Sequence, residues 1–486
     1  MKSTTCFFPA FGPLLFGRPA RSALDVLRQQ THSPNALSQL QAAFGSLIPQ
    51  RLLDVNPNGG GSRDRLLPTP LTFWAFLAQV LSPGSACRAI VRKLQAWWVT
   101  RGITDTSENT SAYCQARARL PDTQIEAIRN DLADRLVRNT PTTALWRGRR
   151  VKIVDGTTIS MPDTAANQQA YPQQLSQQPG CGFPMMKLVG IFCLASGALL
   201  AIARGTLRVH ESQLFRQLWP RLQRGDVVLT DRGFCSWAAI AALCVRGVDC
   251  VMRLHQARTL DFRCGKPLGH KDRLVQWNKP AQRTTGWSRE EWAALPDRLT
   301  VRLLEIRVAV KGFRTRRVVL VTTLLDVELY PATALGELYF LRWTVESHFR
   351  EIKILLGMDV LRCLTPKMIH KELQMHLIAY HLVRVVMQQA AVTHQVPLAR
   401  LSFQGSLDTM RQWADVLHAA QRQPRKQATL HQAMLEVIAR DQLPDRPHRS
   451  EPRARKRRPK NYHLLTKPRH QMRVPPHRNR PRRCLS

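Results

Sequence analysis

Apolar residues recur at spacings of three and four along 22–138, clearly so in 71–81 and 125–136, which predicts helices that each bury one face. Gly59-Gly60-Gly61 and Pro83-Gly84 punctuate that stretch. From Arg149 the pattern changes. Short apolar runs at 151–155, 187–193, 199–209, 227–231 and near 250–254 read as strands, with helices at 211–222 and 236–245 between them. Three strands, a helix and another strand, with helices packed outside, predict a mixed α/β layer core. Beyond it, β-prone runs at 299–310 and 317–325 surround a polar, tryptophan-containing stretch, so 256–326 reads as an inserted sheet. Helical periodicity returns at 333–356, 371–391 and 401–439. After Pro444 the chain turns to Arg, Lys, Pro and His with few acids, which predicts a tail that stays disordered until it meets phosphate. The expected layout is a helical N-terminal domain (1–145), an α/β core in two pieces (146–255 and 327–395), a β-rich insertion (256–326), a helical C-terminal region (396–444) and a basic disordered tail (445–486).

Charge narrows the partner. Against 34 Asp and Glu stand 72 Lys and Arg, a formal net charge of +38. A compact chain so charged repels itself unless a polyanion is its usual partner, and nucleic acid is the obvious one. Phosphate neutralisation is independent of base sequence, so charge fixes no reaction. The eleven cysteines are scattered, only Cys244 and Cys250 lying close together, which argues for reduced thiols and against a zinc knuckle or disulfide scaffold. Pro9 and Pro13 interrupt the apolar segment 6–16, and no uninterrupted apolar run of about 18 residues exists, so neither a secretory signal nor a membrane span is expected. A cytoplasmic, nucleoid-associated protein follows.

Three acids stand where chemistry could be done. Asp155 ends the run Val-Lys-Ile-Val, and Gly156 would let the chain turn or a ligand approach. Asp231 repeats the arrangement after Val-Val-Leu-Thr, with Gly233 two residues on. Either alone would pass as a turn residue; a third acid changes that. At about 100° per residue, Tyr339, Arg342, Glu346 and Lys353 fall within a stripe of roughly 60° on one helix, with Leu341, Val345, Phe349, Ile352 and Leu356 on the adjoining side. An aromatic, two cations and an acid beside an apolar seam suit a cradle for phosphate and metal better than a solvated face. His210-Glu211 lacks the second histidine of a zinc-protease helix and reads as a helix start without a chemical role.

At these residues the chain resembles the DDE transposases of the insertion-element-four type, whose signature is Tyr, two residues, Arg, three residues, Glu, six residues, Lys. Tyr339, Arg342, Glu346 and Lys353 match every position, and 155–164 and 230–234 resemble the blocks that hold the first two acids. The resemblance spans about 151–387. It implies an RNase H-like core with a β-rich insertion between the second acid and Glu346. It further implies that Asp155, Asp231 and Glu346 hold two Mg²⁺ or Mn²⁺ ions for phosphoryl transfer, with Asp155 bridging. Water would cut at the transposon end, and the freed 3′-hydroxyl would attack the other strand or target DNA. Tyr339, Arg342 and Lys353 would grip end phosphates. The partners so implied are double-stranded DNA, as terminal inverted repeats and target, and a second copy in a synaptic homodimer. Relatives that cut through a hairpin carry a tryptophan where Val318 stands here, leaving Trp277, Trp287 or Trp292 to stack on an extruded base. Arg88, Arg92 and Lys93 are candidate end contacts in the N-terminal helices. Another RNase H-like nuclease and a noncatalytic basic DNA-binding protein are the competing readings; only a transposase accounts for the acids, the signature and the insertion together.

Overall fold

The computed structural model describes residues 37–53 apart from 38, 39, 42 and 43, residues 66–444 apart from 83, 100, 259–260, 308–316 and 421, and residues 467–468 and 471–472. The expectation of a disordered tail falls almost wholly outside the described residues. Those residues divide into two compact units, one drawn from the chain up to Ile128 and from Gln389–Gln442, the other from Arg129–Gln388 and from Leu443 onward.

The first unit is helical. Pro70 helps start α1 (Thr69–Leu81), which is apolar on every side and correspondingly buried from Leu71 to Ala78. Its Leu71, Ala75 and Ala78 pack with Ile90, Val91, Leu94 and Trp98 of α2 (Cys87–Val99) and with Tyr113 and Ala116 of α3 (Ser111–Arg119). A fourth helix, α4 (Asp122–Arg138), leads into the second unit.

There, β1 (Val151–Ser160), β2 (Met185–Cys193) and β3 (Leu199–Thr206) form an antiparallel meander, and α5 (Glu211–Gln217) leads to β4 (Val227–Thr230). Then come α6 (Trp237–Val245) and β5 (Asp249–Arg253). β4 lies parallel to β1, and β5 parallel to β4, so the order β3-β2-β1-β4-β5 is that of an RNase H-like core. The insertion supplies β6 (Lys266–Gly269), β7 (Asp272–Asn278), β8 (Arg298–Arg307) and β9 (Arg317–Thr322). It is not a sheet of its own. β9 pairs antiparallel with β5 and extends the core into one nine-stranded sheet. Arg302, fully buried, is held there by both oxygens of Asp272 at 2.9 and 2.6 Å and by the Tyr330 carbonyl at 2.7 Å.

The chain then forms α7 (Ala332–Phe340), a 3₁₀ turn (Leu341–Trp343), α8 (Thr344–Arg350) and a π-turn (Glu351–Leu355), where the sequence suggests one helix over 333–356. Lys353 is tied to β1, donating to Thr157 Oγ1 at 3.0 Å and to the Thr158 carbonyl at 2.8 Å. Just after the turn, Leu361 N–H donates to Ser160 and Ser160 N–H to Asp359. An evenly wound helix yields to those attachments, and π-turns of this kind are frequent at functional sites. The 28-residue α9 (Pro366–Thr393) is buried through most of its length. Finally α10 (Phe403–Ala419) and α11 (Pro424–Arg440) pack together within the first unit, where Arg411 donates to the Leu81 carbonyl at the end of α1. One continuous helix over 401–439 is excluded by Pro424, which opens α11 rather than extending α10. Residues 396–442 join the N-terminal helices in one unit.

Candidate active site

Burial selects the first acid. β1 is buried over its first four residues because it is a central strand, flanked by β2 and β4. Ile153 lies opposite Leu229 in the parallel pairing of β1 with β4. Two residues further along β1, Asp155 falls on the same face as Ile153, and Asp231 directly follows the last residue of β4, near enough for its charge to be felt at Asp155. Asp155 does not end its strand, as the sequence reading has it; β1 continues to Ser160 after β4 has stopped at Thr230. Asp231 therefore heads a loop, its Oδ1 accepting from Gly233 N–H at 2.9 Å.

Gly156 does not turn the chain either. A Cβ there would fall 2.6 to 3.0 Å from the carboxylate of Glu211, so glycine is what lets that acid come down on β1. Burial pushes the Asp155 carboxyl up to about 6. The Gly156 N–H, 2.8 Å from Oδ1, and Arg342 pull it down, while Asp231 and Glu211 add to the rise by repulsion.

Tyr339 and Arg342 are buried side by side. The Arg342 guanidinium reaches Asp155 Oδ2 at 3.6 Å and lies 5.2 Å from the Trp343 ring centroid, and its buried Nε has no hydrogen-bond partner. Burial raises the Tyr339 phenol, and Arg342 opposes that rise. Val345, Phe349, Ile352 and Leu356 are buried as the periodicity predicts, whereas Leu341 is 44 % exposed, turned outward in the 3₁₀ turn. Beneath α8, Phe192 of β2 stacks on His348 and meets Phe349 edge-on, and His348 Nδ1 contacts Glu351 at 3.2 Å.

The structure thus gathers Asp155, Asp231, Arg342 and Tyr339, with Lys353 fastened to the same strand. Glu346 occupies an exposed position on α8, and among the described residues no three acid, histidine or cysteine side chains close on one point. His210 caps α5 by accepting from Ser212 N–H at 3.2 Å, so Glu211 is the first residue of that helix. Its approach to Asp155 is the feature the sequence reading left without a role. The tryptophans of the insertion are packed: Arg216 lies 4.1 Å over Trp287, Trp292 stands 5.8 Å from Trp237, and Arg258 covers Trp277 at 3.9 Å. Val318 is buried in β9. In α2, Arg88 and Arg92 are exposed, Arg88 facing Glu108 at 3.9 Å, and burial lowers Lys93.

A family model described as Transposase DDE domain matches residues 146–382. A curated relative, the transposase InsG for insertion sequence element IS4 of Escherichia coli (strain K12), is 27% identical over 447 residues, which cover 90% of this chain and 96% of the relative. Residues 146–382 thus match a DDE transposase domain, and the chain is similar over most of its length to an insertion-element-four transposase. It is accordingly a DNA-cleaving enzyme, of a family whose chemistry depends on divalent metal. Among solved structures, a piggyBac transposase synaptic complex with hairpin DNA aligns with a TM-score of 0.41 at 11% identity, covering 85% of this chain and 87% of that one, too distant a likeness to bear on the site. No helix among the described residues is long and apolar enough to cross a membrane. Asp155 and Asp231 offer hard carboxylate oxygens, the donor type a divalent ion such as Mg²⁺ takes.

Proposed function

We propose that Asp155, Asp231 and Glu346 hold two Mg²⁺ or Mn²⁺ ions and that this site cuts DNA at the ends of an insertion sequence and joins the cut ends to target DNA. The observation that carries the proposal is the nearness of Asp231 to Asp155, whose charge it opposes, beside a buried arginine with an unsatisfied Nε. When bound, the ions activate the attacking oxygen and stabilise the leaving one. The chain's own residues do the rest. Asp155, whose charge Asp231 opposes, would be the first of the three to hold an ion. Arg342 offers its unpaired Nε–H to a DNA phosphate oxygen, with Tyr339 and Lys353 holding the same end. Glu346, on the exposed side of α8, completes the set once DNA and metal bring it against the two aspartates. The N-terminal helices read the terminal repeats, and two copies act on two ends as a synaptic homodimer inside the cell.

The test is a strand-transfer assay on a duplex carrying the element's end, with Mg²⁺ or Mn²⁺. The wild type should nick the end and join its 3′-hydroxyl to a target plasmid, while Asp155→Asn, Asp231→Asn and Glu346→Gln should retain the end in a mobility shift without cutting it. Cutting by any of the three at the wild-type rate would remove that residue from the site. Degradation without joining would favour a plain nuclease, and sedimentation of the end complex measures the number of copies.

A further inference from the structure

Two thiols of the helical unit lie within reach of each other. Cys87 is the first residue of α2, Cys114 lies in α3, and their sulfurs are 4.0 Å apart. Both are free and half-buried, so a small reagent can reach them. One guanidinium serves both. Arg117 of α3 donates to Cys87 Sγ at 3.2 Å and to Cys114 Sγ at 3.5 Å, while Gln79 of α1 donates to Cys87 Sγ at 3.6 Å. Arg117 is itself buried, with the rings of Phe76 and Tyr113 each 4.9 Å away. A cation that can only donate favours the ionised thiol, the form that attacks a disulfide. Burial lifts the Cys87 thiol, and Arg117 opposes that rise. A disulfide bond is about 2.0 Å long, so the sulfurs must close by about 2 Å, a movement of the size a side-chain rotation gives.

We propose that Cys87 and Cys114 form a redox-responsive disulfide that staples α2 to α3, made by exchange with a small disulfide such as oxidised glutathione. The thiolate of one cysteine attacks a glutathione sulfur and releases one reduced glutathione. The thiolate of the other then attacks the protein-bound sulfur of the mixed disulfide and releases the second. Two protein thiols are oxidised, the reagent's disulfide is reduced to two thiols, and the two protons pass to the released glutathione. The new bond fixes the start of the helix that carries the exposed Arg88 and Arg92. The plain alternative is packing, since a free cysteine behaves as a small apolar side chain. Packing accounts for each half-buried thiol by itself, but not for two sulfurs converging on one buried guanidinium.

The experiment equilibrates the full chain without oxygen at pH 7.5 in glutathione buffers of rising oxidised fraction, then quenches with acid, alkylates and digests. Peptide mass spectrometry should find Cys87 and Cys114 joined, two hydrogens lighter than the reduced pair, in a fraction that rises with the oxidised glutathione and is reversed by dithiothreitol. Cys87→Ser and Cys114→Ser should each leave the remaining thiol free or carrying glutathione. Amide exchange across α2 and α3 should slow by about tenfold or more in the joined form, because closing the loop 87–114 restricts the opened state. Two alkylated thiols in the most oxidising buffer, glutathione on each without joining, or joining of either to a different cysteine overturns the pairing. Joining that leaves exchange in both helices unchanged overturns the staple.

Discussion

Replacing Asp155 with Asn should make the metal-free protein more stable, although it should abolish activity. Burial, Asp231 and Glu211 together raise the Asp155 carboxyl from 3.8 to about 6 in the folded chain. A folded-state value above the unfolded one means that folding favours the protonated acid. The contribution is fully present below about pH 4 and is lost as pH rises through about 6. At about 1.4 kcal/mol per pH unit, a rise of roughly two units makes the ionised carboxylate a burden of about 3 kcal/mol at pH 7.5. The side chain is 23% exposed, so solvent screening trims this to about 2 kcal/mol. Asn keeps the acceptor for the Gly156 N–H and removes the repulsion. For a unit of this size the expected gain is about 4 to 8 °C in midpoint. Differential scanning calorimetry in EDTA at pH 7.5 and pH 4.5 reads it directly: the gain should be present at the higher pH and nearly absent at the lower. Saturating Mn²⁺ should raise the wild-type midpoint and leave the Asn variant where it was. A variant less stable than wild type at pH 7.5, or a gain of equal size at both pH values, would refute the electrostatic reasoning.

The other expectations concern neighbouring parts of the fold. Gly156→Ala should force the Glu211 carboxylate off β1 and destabilise the fold by about 1 to 3 kcal/mol in urea unfolding. Arg302→Met should destabilise by about 3 to 5 kcal/mol in urea unfolding, because it leaves Asp272 buried and unpaired; changing Asp272 to Leu in addition should restore much of the loss. Lys353→Ala, which frees the π-turn from Thr157 and Thr158, should cost about 1.5 to 3 kcal/mol and speed amide exchange at Asp359 to Leu361, as exchange mass spectrometry would show.

The strands of the core are legible in the sequence because a buried strand is a short apolar run, and the two that matter each lead into an acid and then a glycine. The spacing of Tyr339, Arg342, Glu346 and Lys353 is legible for the same local reason. What such patterns cannot carry is the consequence of distant contacts. Nothing in 256–326 says that β9 will pair with β5, since that register is set by two segments separated by the whole insertion. Nor does the 333–356 pattern foretell a π-turn, because the turn follows from Lys353 and Asp359 fastening to β1, a strand far earlier in the chain. The exposure of Leu341 is the visible trace of that irregularity.

Gly156 shows how far a local signal can reach. A glycine inside a strand marks either a bend or a close approach, and the sequence leaves both open. With β1 continuing straight to Ser160, the bend is removed and something must be approaching. The chain that leaves β3 is the nearest supplier, because β1, β2 and β3 are consecutive antiparallel neighbours and α5 begins five residues after β3 ends. The first residue of that helix is Glu211. The same glycine that lets an acid come down on β1 therefore also forbids any larger residue at 156 unless Glu211 is displaced.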